Sequence, residues 1–271
     1  MDEVFGPAAV AIANDDLGDL ADLLRDDPSL ATKRSSCGHP TLLQLVACEE
    51  RNIRNPARVA NLLVDAGAPT EEPLIAAAGC ESWEVLRTLV ERGVPVDRVD
   101  GWSALDESLY WDNKEIAGFL IEHGARPRSL RAAAALGSID ELESFFVDGA
   151  LTEGAGPVRS PFADTVPIDT ASDAQHIIDN AFVSAVNSDQ RSTAELLLER
   201  GARVNATPPG FHWRGTALHA AAWRGSRPLV EWLLSVGANP AIRDGMVNSD
   251  AVGWAKHHGH EDLVGILRVG H

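Results

Sequence analysis

The sequence is poor in positive charge and has no long apolar run. Its 271 residues carry 23 Lys and Arg against 40 Asp and Glu, which gives a formal net charge of -17. Such an excess of acid repels nucleic-acid phosphates and anionic lipid surfaces, so neither nucleic acid nor a membrane is expected as a partner. The N-terminus has no basic region followed by an apolar run, so a signal peptide is not expected. A cytoplasmic protein is therefore predicted, and the scarcity of lysine indicates a GC-rich genome such as a bacterial one.

Cysteine is also scarce. The chain has three cysteines, Cys37, Cys48 and Cys80, which is an odd number, and their spacing fits no zinc module. We therefore expect them to be small buried side chains of a protein in a reducing compartment. The His-His-Gly-His stretch at 257–260 lacks a clear fourth ligand for a metal. No phosphate-binding glycine loop or dinucleotide fingerprint is present. The sequence therefore predicts no metal and no cofactor.

What the sequence does have is an internal repeat. Six segments combine the apolar spacing of an amphipathic helix with a glycine at the end, where a left-handed conformation can terminate the helix. We call these segments the closing helices. Most of their glycines are about thirty residues apart, with one longer interval after the fourth. The six are Gly67, Gly93, Gly124, Gly149, Gly201 and Gly237.

A shorter, alanine-rich opening helix precedes each closing helix. The clearest copy, GTALHAAA at 215–222, resembles the T-P-L-H-x-A opening of ankyrin repeats, with alanine in place of proline. We expect Thr216 and His219 to cap this helix and tie it to the neighbouring repeat. Weaker copies lie at 41–47, 100–106 and 250–255.

The resemblance covers nearly the whole chain and implies an all-α ankyrin-repeat solenoid of stacked helix-turn-helix units, with hairpin-like loops and a concave groove. We predict one domain over residues 1–271. Its parts are an N-terminal cap at 1–31, repeats at 38–150, a long loop insertion at 151–173, repeats at 174–249 and a C-terminal cap at 250–271.

The resemblance also implies function, because proteins of this kind usually bind other proteins on the concave face. Exposed aromatic side chains are common anchors at such interfaces. A protein partner is therefore expected, bound through the concave face and the long loops 151–173 and 207–215. The candidate binding residues are Tyr110, Trp111, Phe211, His212, Trp213, Trp223, Arg224, Trp254 and His257.

An enzyme is the alternative that the sequence leaves open, and an inert acidic scaffold is a third. An aromatic-lined pocket could hold a small apolar ligand, and burial could raise the pKa of a carboxylic acid so that it donates a proton. Such a site would suit acid-initiated isomerisation or cyclisation. The candidate catalytic residues are Asp106, Asp164, Asp169 and His219, with His212 as another partner for the acid.

Overall fold

The computed structural model describes residues 5–35, 41–161 and 173–269. Within these ranges the chain forms 16 α-helices and one two-stranded hairpin, which confirms the predicted all-α fold of stacked helix pairs. The chain divides into two units, residues 1–126 and 127–271. Cys37, Asp164, Asp169 and positions 162–172 of the predicted loop lie outside the described residues. The predicted single domain with its caps, repeats and insertion stays a prediction.

The first unit holds eight α-helices among its described residues. They form four consecutive pairs, with short 3-10 helices at Pro28–Ala31 and Glu50–Asn52. The helices are α1 (Gly6–Ala13), α2 (Leu17–Asp26), α3 (Leu42–Cys48), α4 (Pro56–Asp65), α5 (Glu71–Gly79), α6 (Trp83–Glu91), α7 (Ala104–Tyr110) and α8 (Lys114–Glu122).

Packing in the first unit follows the helical spacing of its apolar residues. The opening helices α3, α5 and α7 lie side by side, and the closing helices α4 and α6 pack against each other. In α6, for example, Val85, Leu86 and Leu89 are fully buried, because the spacing places them on one face of the helix. A single pair could not bury this face, so each pair depends on its neighbours.

The second unit also holds eight α-helices among its described residues, again in four consecutive pairs. A 3-10 helix lies at Glu153–Ala155. The elements are α9 (Leu130–Leu136), α10 (Ile139–Ser144), β1 (Phe146–Val147), β2 (Ala150–Leu151), α11 (Ala174–Asn187), α12 (Arg191–Glu199), α13 (Ala217–Arg224), α14 (Arg227–Ser235), α15 (Ala251–His257) and α16 (Glu261–Val269).

Alanine explains the close stacking of the opening helices in the second unit. Helices α9, α11, α13 and α15 lie side by side in chain order. The alanines at 132–135 and 220–222 are all buried at these contacts. Small side chains let neighbouring backbones approach each other, and the larger leucines of the closing helices fill the space behind them.

All six predicted glycines have positive φ, and five of them, with φ between 80° and 102°, follow the end of a helix as predicted. The prediction for Gly149 is wrong. Helix α10 ends at Ser144, and β1 pairs with β2 in an antiparallel hairpin. Asp148 and Gly149 form its turn with φ values of 51° and 79°. Two consecutive positive φ values are typical of a type I′ hairpin turn, which Asp-Gly favours over a helix end.

A recurring hydrogen bond ties four of the repeats to the one before each. A side chain at or near the start of a closing helix donates to a carbonyl near the end of the preceding repeat's opening helix. These carbonyls lie in the last turn of a helix, where backbone partners within the helix run out, although Ala134 also accepts from the Gly137 backbone N–H at 3.2 Å. The pairs are Ser82 with Ala47, Asn113 with Ala78 (2.9 Å), Thr193 with Ala134 (2.9 Å) and His260 Nε2 with Trp223 (2.8 Å).

Candidate interaction surface

One carboxylate organises the turn between α14 and α15. Asp244 Oδ1 accepts hydrogen bonds from the backbone N–H groups of Met246 (2.8 Å) and Val247 (2.7 Å), and Oδ2 accepts one from Ser249 (2.8 Å). The residue is only 3% exposed. Burial opposes ionisation, but these bonds and the indole N–H of Trp254 outweigh it and lower the pKa of Asp244 to about 2. The turn is therefore held by a fully ionised acceptor.

This turn presents two apolar side chains to solvent. Met246 is 60% exposed and Val247 is 62% exposed. Both line a cavity of about 480 Å³, and Trp254 lies half-buried in its wall. We call the lining of this cavity the α15 surface. It consists of Met246, Val247, Ser249, Gly253, Trp254, His257 and His258.

A stack of buried aromatic rings supports the α15 surface. The rings of Trp254 and Trp213 have centroids 5.5 Å apart, and those of Trp213 and Phe211 are 4.9 Å apart. Phe211 and Trp213 are both buried. The loop can fold this tightly because Gly215 lacks a Cβ, which would lie 2.7 Å from the Trp213 ring. Two of the predicted contact residues therefore form the base of the surface rather than its exposed part.

Histidines form the rim beside Trp254. The rings of His257 and His258 have centroids 5.0 Å apart, and His258 also lies 5.9 Å from Trp223. Burial, and then the charges that His257 and His260 carry when protonated, lower the pKa of His258. His258 is therefore mostly neutral near pH 7.

His219 is a structural cap in the described geometry. Its Nδ1 accepts from the backbone N–H of Thr216 at 3.0 Å and lies 2.9 Å from the Thr216 hydroxyl. Its Nε2 lies 3.2 Å from the carbonyl oxygen of Ser249, in the next repeat. Both parts of the predicted capping role are thereby confirmed. Burial lowers the pKa of His219, as it does for the half-buried His212.

Trp223 and Arg224 end helix α13 and are both half-buried. The Arg224 guanidinium donates to the carbonyl of Asn187 at 2.7 Å, which links α13 to α11. The carbonyl of Trp223 accepts the hydrogen bond from His260 described above. Both residues thus take part in contacts between repeats, and the Trp223 ring also lies beside His258 of the α15 surface.

The first unit contains a separate aromatic cluster. Tyr110 is buried and packs edge-on against Trp102 and Trp111, with centroid distances of 5.9 Å and 5.2 Å. Trp111 is 37% exposed, and its indole N–H donates to Glu107 at 2.8 Å. Glu107 also accepts from the indole of Trp102. The structure thus brings together the two predicted binding residues of this unit.

Asp106 serves as half of a capping box. Its backbone N–H donates to the Ser103 hydroxyl at 3.0 Å, and its carboxylate accepts from the Ser103 backbone N–H at 3.2 Å. This reciprocal pair satisfies two backbone donors at the start of α7. Asp106 and His219 belong to different units.

Sequence reasoning identified Trp254 and His257 on the α15 surface but missed the turn that precedes them. Asp244, Met246 and Val247 lie between two helices, in a stretch without the helical period. The signal was the sequence Asp-Gly-Met-Val-Asn-Ser at 244–249, in which turn-forming residues flank two apolar ones. An apolar pair at the tip of a polar turn indicates exposure, since a short turn offers no core to bury it.

Residues 5–35, 41–161 and 173–269 offer neither a metal-ligand cluster nor a membrane-spanning helix. No group of three or more His, Cys, Asp or Glu side chains is placed to hold a metal ion. No helix in these ranges has both the length and the apolar character needed to cross a membrane.

Comparison with known proteins agrees with the helix-pair architecture. The family model described as ankyrin repeats (many copies) matches residues 182–234. A probable E3 ubiquitin-protein ligase of Oryza sativa subsp. japonica is 40% identical over 82 residues, which is 30% of this chain and 16% of the relative. A putative E3 ubiquitin-protein ligase of Arabidopsis thaliana is 47% identical over 60 residues, which is 22% of this chain and 13% of the relative. A second one from the same plant is 40% identical over 82 residues, which is 30% of this chain and 21% of the relative. The chain thus spans only 13% to 21% of these relatives.

Proposed function

We propose that this chain is an ankyrin-repeat binding module that recognises a protein partner through the α15 surface. The observation that carries this proposal is the exposure of Met246 and Val247 on a turn fixed by Asp244, directly beside Trp254. Apolar side chains beside a tryptophan are the usual composition of an interface centre.

Rigidity favours this surface as a binding site. The turn has three backbone hydrogen bonds to one carboxylate, and Trp254 rests on two buried aromatic rings. A surface that is already ordered loses little conformational entropy when a partner binds. The exposed apolar area therefore contributes to affinity with little offset from ordering.

The charge of the chain constrains the partner. A net charge of -17 favours a basic or neutral protein over an acidic one. We expect a basic partner to associate faster at low salt, because long-range attraction steers the encounter and salt screens it. The apolar contacts at Met246 and Val247 would then determine the lifetime of the complex.

The relatives are named as E3 ubiquitin-protein ligases, but they share only 60 to 82 residues with this chain. We propose that partner recognition by the repeats is the shared property. Recruitment of a protein to a ubiquitin ligase is one role that such recognition could serve.

A small apolar ligand is the second candidate, because the cavity of about 480 Å³ falls within the size range of small-molecule sites. The acid-catalysis hypothesis has less support, since Asp106 and His219 both serve as helix caps. A dye that fluoresces in apolar pockets distinguishes the two candidates. Displacement by a protein partner supports the interface, whereas displacement only by small apolar molecules supports a ligand site.

Photo-crosslinking tests the proposed interface directly. A photo-reactive p-benzoylphenylalanine is placed at Val247 and, as a matched control, at Val99, which is 70% exposed in the first unit. The variants are irradiated in extract from the source organism. We expect one discrete adduct from position 247 that position 99 does not give. Equal adducts from both positions, or none from position 247, would contradict the proposal.

A further inference from the structure

Two thiols meet where two neighbouring opening helices end. Cys48 is the last residue of α3, and Cys80 directly follows the last residue of α5, which packs against α3. Cys48 is half-buried, whereas Cys80 is exposed. The two side chains form a hydrogen bond with each other. The sequence-based expectation of small buried cysteines is therefore wrong for Cys80.

The hydrogen bond makes the two thiols chemically unequal. It lowers the pKa of Cys80 to about 7, because the Cys48 S–H donates to the Cys80 sulfur and stabilises the thiolate. Burial and the carboxylates of Glu107 and Glu49 act against this effect, and Arg51 assists it. The same hydrogen bond, followed by burial, raises the pKa of Cys48.

We propose that Cys48 and Cys80 form a redox-active dithiol that hydrogen peroxide converts into a disulfide between the ends of α3 and α5. This site is independent of the α15 surface and of the function proposed for it. Its geometry has the three features of a reactive pair, namely an accessible attacking sulfur, an adjacent resolving sulfur and their placement on two packed helices.

The chemistry proceeds in two steps. The Cys80 thiolate attacks one oxygen of hydrogen peroxide, the O–O bond breaks, and with one proton the products are a Cys80 sulfenic acid and water. The Cys48 sulfur then attacks the Cys80 sulfur and the S–O bond breaks. The hydroxyl leaves as a second water with the Cys48 proton. Peroxide is reduced by two electrons, the two thiols are oxidised, and a dithiol reductant reverses the change.

The disulfide would join two successive repeats. It closes a chain segment of about thirty residues, which restricts the unfolded chain and stabilises the folded one. Cys48 and Cys80 lie at the same end of two helices that pack directly against each other, so the bond would link elements already in contact. Oxidation should therefore stabilise the first unit rather than disrupt it.

The test uses the full chain with Cys37→Ser, which leaves Cys48 and Cys80 as its two cysteines. After treatment with hydrogen peroxide, non-reducing peptide mapping should show one intramolecular 48–80 disulfide. The melting temperature should rise by several degrees and return to its starting value with dithiothreitol. With Cys48→Ala added, the sulfenic acid on Cys80 should persist and react with dimedone, and the melting temperature should not rise. With Cys80→Ser added, neither product should form.

Different products would overturn the proposal. These are disulfides between two molecules through Cys80 in the Cys37→Ser protein, or overoxidation of Cys80 while Cys48 stays reduced. Equal peroxide consumption by the Cys80→Ser variant would also overturn it. That substitution replaces an exposed side chain, so circular dichroism should show an unchanged helical signal.

Discussion

The indole Nε1 of Trp254 donates a 3.0 Å hydrogen bond to Oδ2 of Asp244. One carboxylate therefore fixes both the turn that exposes Met246 and Val247 and the ring that lies beside them. Met246, Val247 and Trp254, which carry the proposed interface, are therefore held in place by Asp244, which is not itself expected to contact the partner.

Asp244→Asn should destabilise the protein and make it less sensitive to acid. An amide cannot replace the ionised acceptor of four hydrogen bonds. The folded pKa of about 2 lies below the ordinary 3.8, so this stabilisation is present above about pH 4 and is lost as the pH falls towards 2. The shift corresponds to about 2 kcal/mol at neutral pH. Urea denaturation of the wild type and the variant at pH 7 and pH 2.5 measures this difference in the free energy of unfolding.

The control for that experiment is Asp100→Asn, an exposed carboxylate in the first unit. It should change the free energy of unfolding by less than about 0.5 kcal/mol at either pH. If both variants lose the same stability, the hydrogen bonds of Asp244 contribute no more to the free energy of unfolding than an exposed carboxylate does.

Thr193→Val should weaken the tie between two repeats. Valine matches threonine in shape but cannot donate to the Ala134 carbonyl, which the threonine hydroxyl reaches at 2.9 Å in a buried position. The Ala134 carbonyl would still accept from the Gly137 backbone N–H at 3.2 Å, so losing the threonine hydrogen bond should cost about 0.5 to 1.5 kcal/mol, measured by urea denaturation. Thr207→Val, at an exposed site, should have little effect. Equal losses would show that the tie contributes nothing specific.

Gly225→Ala should destabilise more than Gly237→Ala, although both glycines have positive φ. Strain in the left-handed conformation is about 1 to 2 kcal/mol for an L residue at either site. At Gly225 a Cβ would also lie 2.5 Å from the His260 ring, whose other nitrogen is hydrogen-bonded to the Trp223 carbonyl. At Gly237 nothing lies within 4 Å. Thermal unfolding of both variants measures the difference, and equal melting temperatures would contradict it.

The alkylation rate of Cys80 should rise with pH and level off above pH 7. The thiolate is the reacting form, and the hydrogen bond from Cys48 lowers the pKa of Cys80 to about 7 from an ordinary 9.0. Iodoacetamide labelling of the Cys37→Ser protein, read by mass spectrometry, gives the profile. With Cys48→Ala added, the midpoint should move towards the ordinary value. An unchanged midpoint would show that the hydrogen bond does not set the reactivity.

The sequence predicted the repeats well because their signals are local. A helix-ending glycine such as Gly201 and a capping pair such as Thr216 and His219 act over a few residues, and the structure bears them out. The prediction that Gly149 ends a helix was wrong because an Asp-Gly pair suits a hairpin turn as well as it suits a helix end.

The site was harder to predict than the fold. The sequence identified Phe211 and Trp213 as aromatic but could not show that they are buried, since burial depends on how loop 207–215 folds. The link between Asp244 and Trp254 joins residues ten positions apart, across a turn without a period. The proximity of Cys48 to Cys80 follows from the stacking of α3 on α5, which spacing alone does not reveal.

The most direct test of the proposed interface is the affinity of the crosslinked partner for purified variants. Isothermal titration compares the wild-type chain with Val247→Asp and with the control Val99→Asp. A buried, unpaired aspartate at position 247 should weaken binding at least about tenfold, which is 1.4 kcal/mol, whereas Val99→Asp should bind like the wild type. If Val247→Asp binds as tightly as the wild type, or if both variants weaken equally, the α15 surface is not the binding site.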